Sequence, residues 1–227
     1  MDQMRQYIKT SQATILERKE NIFFNSIVVY VKDPLPEDVS LTNVLHRIEK
    51  SLPKHLVANV EAIYVGDFEL FKEKEINAAY EDGAIYISNT QDNEDDLIDD
   101  IIHEIAHAVE DQFGMEVYAD GDLEREFLYK RQKLLEILDA HGYELEKSYF
   151  FDTEYNEEFD DYLYKQVGYD KLIFFTMDLF PSNYSVTSLR EYFAVGFEKF
   201  FLGESREIHK ISPVLHKKIH LVSHLDR

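Results

Sequence analysis

The 227-residue chain carries 24 Lys and Arg against 45 Asp and Glu, a net charge of −21, with 44% hydrophobic and 14% aromatic residues. That is apolar enough for a domain with its own core, and too negative to make nucleic acid or an anionic membrane a sensible partner. Cysteine is absent, which excludes disulfides, thiolate metal sites and cysteine nucleophiles, so any metal must be held by His, Asp or Glu.

Residues 1–20 are polar with Met4, Ile8, Ile15 and Leu16 scattered along them, the pattern of a weakly amphipathic arm. No apolar segment resembles a signal peptide or reaches the length of a bilayer, so the expected location is the cytoplasm. Asn21 to Val31 is β-branched and aromatic and reads as one strand. Leu41, Val44, Ile48 and Leu52 recur at helical spacing before Pro53, and Val60 to Val65 reads as a further strand. Around Glu81-Asp82-Gly83 two short apolar runs predict a hairpin, with Ala84 to Ser88 expected as an edge strand able to pair with an extended peptide. Leu97 to Phe113 is strongly helical, acidic at its start and stopped at Gly114. Asp122 to Ala140 predicts a second long helix with an exposed charged side, ended by Gly142. Helices are expected at Glu157 to Val167, Ser188 to Leu202 and Pro213 to His224, and Tyr169 to Phe180 is an apolar run. Strands first and helices after give an α+β class, a small mixed sheet followed by a mostly helical half. Residues 1–57 are expected as a helix-strand-helix portion of the same domain. Residues 58–227 then form the functional region, with an acidic insertion at about 117–182.

The chemistry concentrates at His103-Glu104-Ile105-Ala106-His107. Residues i and i+4 stack on one helix face, so two imidazoles can hold one tetrahedral zinc while the intervening Glu104 reaches the metal's water as general base. Glu110 falls on the same face, where a carboxylate could orient a ligand. Three candidates compete for the third ligand. Glu191 begins a helix, and Ser188-x-x-Glu191 also fits a capping box. Glu126 follows His107 at the spacing of gluzincin aminopeptidases, but its surroundings, Glu124, Arg125, Lys130 and Arg131, read as an exposed face. His216, His220 and His224 line one face of the last helix, with Lys217 and Lys218 between them, which reads as a solvated helix end.

Taken together, HEIAHAVED, Tyr184 seven residues before Glu191, and the Glu-aromatic-Phe-Ala helix start resemble the catalytic domain of anthrax lethal factor and the related Pro-Pro endopeptidases, which are gluzincin-type zincins. The likeness covers about residues 84–220, and Pro213 opens a final helix as in that family. It implies a zincin fold with Zn2+ held by His103, His107 and Glu191. Glu104 would be the general base and Tyr184 the donor to the substrate oxyanion. Val195 stands where the family has a second Glu. The function expected on this resemblance is zinc-dependent endopeptidase action on a peptide or protein. With ten carboxylates and no Lys or Arg over residues 89–116, a basic or neutral substrate is expected. The competing expectation is a catalytically silent zincin-fold structural or interaction protein of a phage or mobile element, which could be virion-associated. Oligomeric state is not legible in the sequence.

Overall fold

The computed structural model describes residues 19–225 except Glu75 and Leu145. The amphipathic arm expected over residues 1–20 lies outside them save for its last two residues, which belong to a strand. The first of two compact units runs to Gln112 and the second begins at Phe113.

The first unit holds β1 (Lys19–Phe23), β2 (Ile27–Val31), α1 (Leu41–Ser51), β3 (Ala62–Gly66), α2 (Glu69–Lys74), β4 (Ala78–Glu81) and β5 (Ala84–Ser88). Most of the long helix α3 (Glu94–Tyr118) follows. The five strands form one mixed sheet in the order β1-β2-β3-β5-β4, parallel at β2/β3 and β3/β5 and antiparallel at its two ends. The stretch expected as one strand over residues 21–31 is a hairpin. Phe24 and Asn25 take left-handed φ values of 49° and 59°, and the Phe24 amide donates to Glu49 Oε1 at 2.6 Å. No glycine marks that turn; burial of the Phe24 ring edge-on to Phe23 holds a bulky residue in a conformation it rarely adopts.

At Asp82-Gly83 the expected hairpin is present, both residues at positive φ. The expected role of Ala84 to Ser88 as an edge is corrected, because β5 lies between β3 and β4, and the edge strands are β1 and β4. Its residues Ala84 to Ile87 are buried, as suits a strand paired on both sides. Register is fixed by a row of stacked rings: Tyr30, Tyr64 and Tyr86 sit opposite one another on β2, β3 and β5, with centroids 5.2 and 5.1 Å apart. Phe68 and Phe71 of the following segment pack on the same cluster.

In the second unit, the end of α3 is followed by α4 (Asp122–Ala140), α5 (Glu157–Tyr162), α6 (Tyr169–Thr176), α7 (Leu189–Lys199), α8 (Ser205–Ile211) and α9 (Pro213–Ser223). The fold is thus α+β, a five-stranded sheet and a mostly helical half. No helix among the described residues is long and apolar enough to cross a membrane. Gly114 does not stop α3; the helix bends one residue earlier, at Phe113 (φ −123°, ψ 21°), and runs on to Tyr118. Within α7, Gly196 is required by packing, since an added Cβ would collide with the Leu215 side chain of α9.

The side of α4 expected to be exposed carries buried ions instead. Arg131 is 1% exposed. Its guanidinium makes five hydrogen bonds to four carbonyls, those of Tyr149, Asp152, Val186 and Thr187, at 2.5–2.8 Å. The rings of Phe127 and Phe159 lie 4.7 and 4.6 Å from it. Burial pushes its pKa down to about 10, which leaves it charged at neutral pH. Lys130, brought down to about 8 mainly by burial, donates to the carbonyls of Leu179 and Ile211 and to Ser212 Oγ. These two side chains bind irregular segments that have no ladder of their own, and satisfy carbonyls that would otherwise be buried without donors.

Replacing Arg131 with Met should therefore cost about 3 kcal/mol or more, because four carbonyls lose their donor. Arg131→Lys should restore only part of this, since an ammonium lacks the planar fork. Urea unfolding curves of the three chains test both statements; equal stability of Met and wild-type chains would refute the assignment.

Candidate metal centre

The helix bearing the His-Glu-x-x-His run starts at a firm cap. Asn93 Oδ1 accepts the amides of Asp95 and Asp96 at 2.8 and 3.0 Å, and Glu94, Asp95 and Asp96 occupy the positive end of the helix dipole. Its apolar stripe, Leu97, Ile98, Ile101, Ile102, Ile105 and Val109, is buried. That burial fixes the rotation of the helix about its axis and so the direction of the polar face. Several acids of this stretch are engaged locally. Asp95 pairs with Arg47 at 2.6 Å, Glu94 Oε1 accepts the Ser40 amide at 3.2 Å, and Asp100 accepts from Gln91.

On the polar face His103 and His107 stand one turn apart, with ring centroids 5.2 Å apart and planes at 77°. Glu104, next to His103 in the chain, is buried. His107 Nδ1 lies 2.7 Å from Glu110 Oε2. An ionised carboxylate only accepts, so Nδ1 carries the proton and Nε2 is the ring's lone-pair nitrogen. This is the carboxylate–imidazole pairing that fixes tautomer and orientation in metal sites.

Glu191 lies in the first turn of α7, where Ser188 Oγ caps the Glu191 amide at 3.1 Å. The capping residue is thus Ser188, as the S-x-x-E pattern suggests. Among the described residues one group of three metal-capable side chains stands out. One nitrogen each of His103 and His107 and one carboxylate oxygen of Glu191 all lie within 4.8 Å of one another. Tetrahedral bonds of 2.0–2.2 Å would hold such atoms roughly 3.3–3.6 Å apart. Two imidazoles and a carboxylate, with no thiolate anywhere in the chain, fit Zn2+ or another borderline divalent ion with positions left for water.

Tyr184 heads the short 3-10 turn Tyr184–Val186, and its carbonyl accepts both the amide and the hydroxyl of Thr187. Arg131 holds the carbonyls of Val186 and Thr187. The segment from Tyr184 to Glu191 is therefore tied to α4 by a residue that no local pattern singles out.

The other two ligand candidates have different work. Glu126 is not exposed as its neighbours suggested. It takes the Tyr192 hydroxyl at 2.9 Å and the amides of Val214 and Leu215 at 2.9 and 3.0 Å. It is the carboxylate cap of α9, and Tyr192 stays protonated beside it, its pKa raised by burial first. On α9, His216, His220 and His224 form a stacked row, with His209 of α8 4.7 Å from His216, and Ser205 Oγ is 3.1 Å from His216 Nε2. Lys218, expected in solvent, is buried and bonds the Glu116 carbonyl and Asp120. No protein-family model, curated protein or solved structure matches this chain.

Two outcomes are expected. Glu110→Gln should weaken metal binding about 10–100-fold, whereas Glu126→Gln should leave metal affinity unchanged and lower stability by about 1–3 kcal/mol. Titration with a competing chelator, read beside urea curves, distinguishes them; the reverse pattern would make Glu126 the ligand. The second outcome concerns His216, whose pKa is held below the usual value by burial and by His209 and His220. The unfolded imidazole takes up its proton near pH 6.5 and the folded one only at lower pH, so stability is lost as pH falls below about 6.5. His216→Gln should flatten that loss in urea curves run between about pH 7.5 and about pH 5.5.

Proposed function

We propose that the chain is a zinc-dependent endopeptidase. The observation that carries this reading is the grouping of His103, His107 and Glu191 around one point, with Glu110 on His107. His103, His107 and Glu191 would hold the ion, which supplies Lewis acidity and brings water ionisation near neutral pH. Glu104 takes the proton of the attacking water and returns it to the leaving amine. Its burial on the helix of the two histidines limits competition from solvent. The Tyr184 phenol donates to the oxyanion, a contribution of about 3–4 kcal/mol for one well-placed donor. Two imidazoles and a carboxylate also serve oxidative iron enzymes; the carboxylate next to the first imidazole is what favours hydrolysis, because that chemistry needs a resident base.

An extended substrate would pair with a strand edge. Of the two edge strands, β1 and β4, the one in line with β5 and half-buried along its length is β4. The Tyr80 hydroxyl bonds Asp111 of α3, and its pKa is pushed up to about 12, chiefly by burial and then by that carboxylate. This ties the edge strand to the metal-bearing helix within one unit.

Purified protein supplied with zinc should carry about one ion per chain. Glu104→Gln should keep the ion and the fold but lose nearly all cleavage of a mixed peptide library. A Glu104→Gln chain that still cleaves would overturn the mechanism. A zinc-loaded wild-type chain inert toward every peptide would favour the silent, zincin-shaped interaction protein.

A further inference from the structure

We infer that the outer face of α6, with the tyrosines that precede it, is a docking surface for a cationic amphipathic segment of another protein. The inference stands whether or not the metal centre hydrolyses peptides. Helix α6 is apolar nearly all round, yet only one side is covered. Leu172, Phe175 and Thr176 are buried, whereas Ile173, Phe174 and the capping Met177 are 55%, 66% and 61% exposed. At 100° per residue, Tyr169, Ile173, Met177 and Phe174 fall within one arc of about 140°, a face rather than a scatter. A helix apolar on both sides is ordinarily buried on both. The face extends backward, since the Tyr164 and Tyr169 rings meet at 4.9 Å, and the Tyr155 hydroxyl bonds Asp160 at 2.8 Å. The Tyr169 hydroxyl feels the same Asp160, after burial, as the cause of its raised pKa.

Charge selects the occupant. Residues 151–178 hold eight carboxylates and two lysines. Lys165 is engaged by Asp161 at 2.6 Å, and Lys171 by the Tyr143 hydroxyl at 3.1 Å. Asp170 lies inside the apolar arc, Asp160 stands near the Tyr169 end, and Asp178 at the other end is paired with Lys210 at 3.7 Å. A second copy of the chain would bring this negative charge against itself, and an anionic bilayer is repelled in the same way. A segment with aliphatic or aromatic anchors flanked by Lys or Arg satisfies both the apolar face and its rim. This is the helix-in-groove mode of recognition, in which anchors give affinity and rim charges give rate and selectivity. Met177 and Phe174 suit such a surface, being adaptable and large respectively.

The test uses the full chain and a synthetic amphipathic helix with leucine on one face and lysine on the other. Two companions carry glutamate or glutamine in place of lysine. Binding is read by fluorescence anisotropy at physiological salt, and peptide integrity by mass spectrometry afterwards. The lysine peptide should bind saturably, one per chain, and the glutamate peptide should not. Ile173→Ser/Phe174→Ser/Met177→Ser, which leaves the charge untouched, should weaken binding at least tenfold with an unchanged circular dichroism spectrum; Phe174→Ser alone gives a milder loss in the same direction. Undiminished binding to the triple variant would show attraction to overall charge only and overturn the proposal. So would equal binding of the glutamate peptide. Self-association of the wild-type chain that the triple variant abolishes would make the occupant a second copy and likewise overturn it.

Discussion

The path of the chain from residue 149 to residue 191 depends on a single buried guanidinium. Arg131 meets four carbonyls from two separate stretches, Tyr149 to Asp152 and Val186-Thr187. Neither of these stretches has a sheet or a long helix to satisfy its own backbone. A buried charge without a carboxylate partner is costly unless its donors are all used; here five hydrogen bonds and two aromatic faces supply the compensation. The consequence reaches function, because Val186 and Thr187 lead directly into Ser188, the cap that begins the helix of Glu191. On the next helical turn of α4, Glu126 grips Tyr192, the neighbour of Glu191. The start of α7 is thus held by two ions of one helix, and a metal ligand needs that rigidity more than it needs basicity.

On α3 the same logic is written with fewer parts. Burial of Ile101, Ile102 and Ile105 turns the helix so that His103 and His107 share the opposite side. Glu110 then sets the tautomer of His107 through a 2.7 Å contact. In the proposed enzyme the base Glu104 is restrained by burial and Glu191 sits in the first turn of a capped helix. The acidic surface belongs to the same account. Negative charge over α3 and around α6 is what the proposed preference for cationic peptides rests on.

Much of the scaffold was legible, for reasons that can be named. The charged and apolar periodicity of Asp122 to Ala140 gave its helix with the bounds observed, and Asp82-Gly83 gave its hairpin because both residues tolerate positive φ. The HExxH spacing and the Glu110 contact were legible because a helix face is a local property. What escaped was non-local. Phe24-Asn25 forms a turn without glycine, secured by Glu49 from another element. Arg131, Lys130 and Glu126 looked solvated because their partners are backbone groups from residues 149–215, which a charge pattern along α4 cannot reveal. The position of β5 inside the sheet follows from its pairing with β3, again a contact distant in sequence.

In the proposed enzyme His103, His107 and Glu191 hold one metal ion. Anomalous diffraction at the zinc edge from zinc-loaded crystals tests it directly. One strong peak should lie about 2.0–2.2 Å from an imidazole nitrogen of each histidine and from a Glu191 oxygen, as zinc–ligand bond lengths require. A peak on the His216–His220–His224 row instead, or no peak after loading, would contradict it.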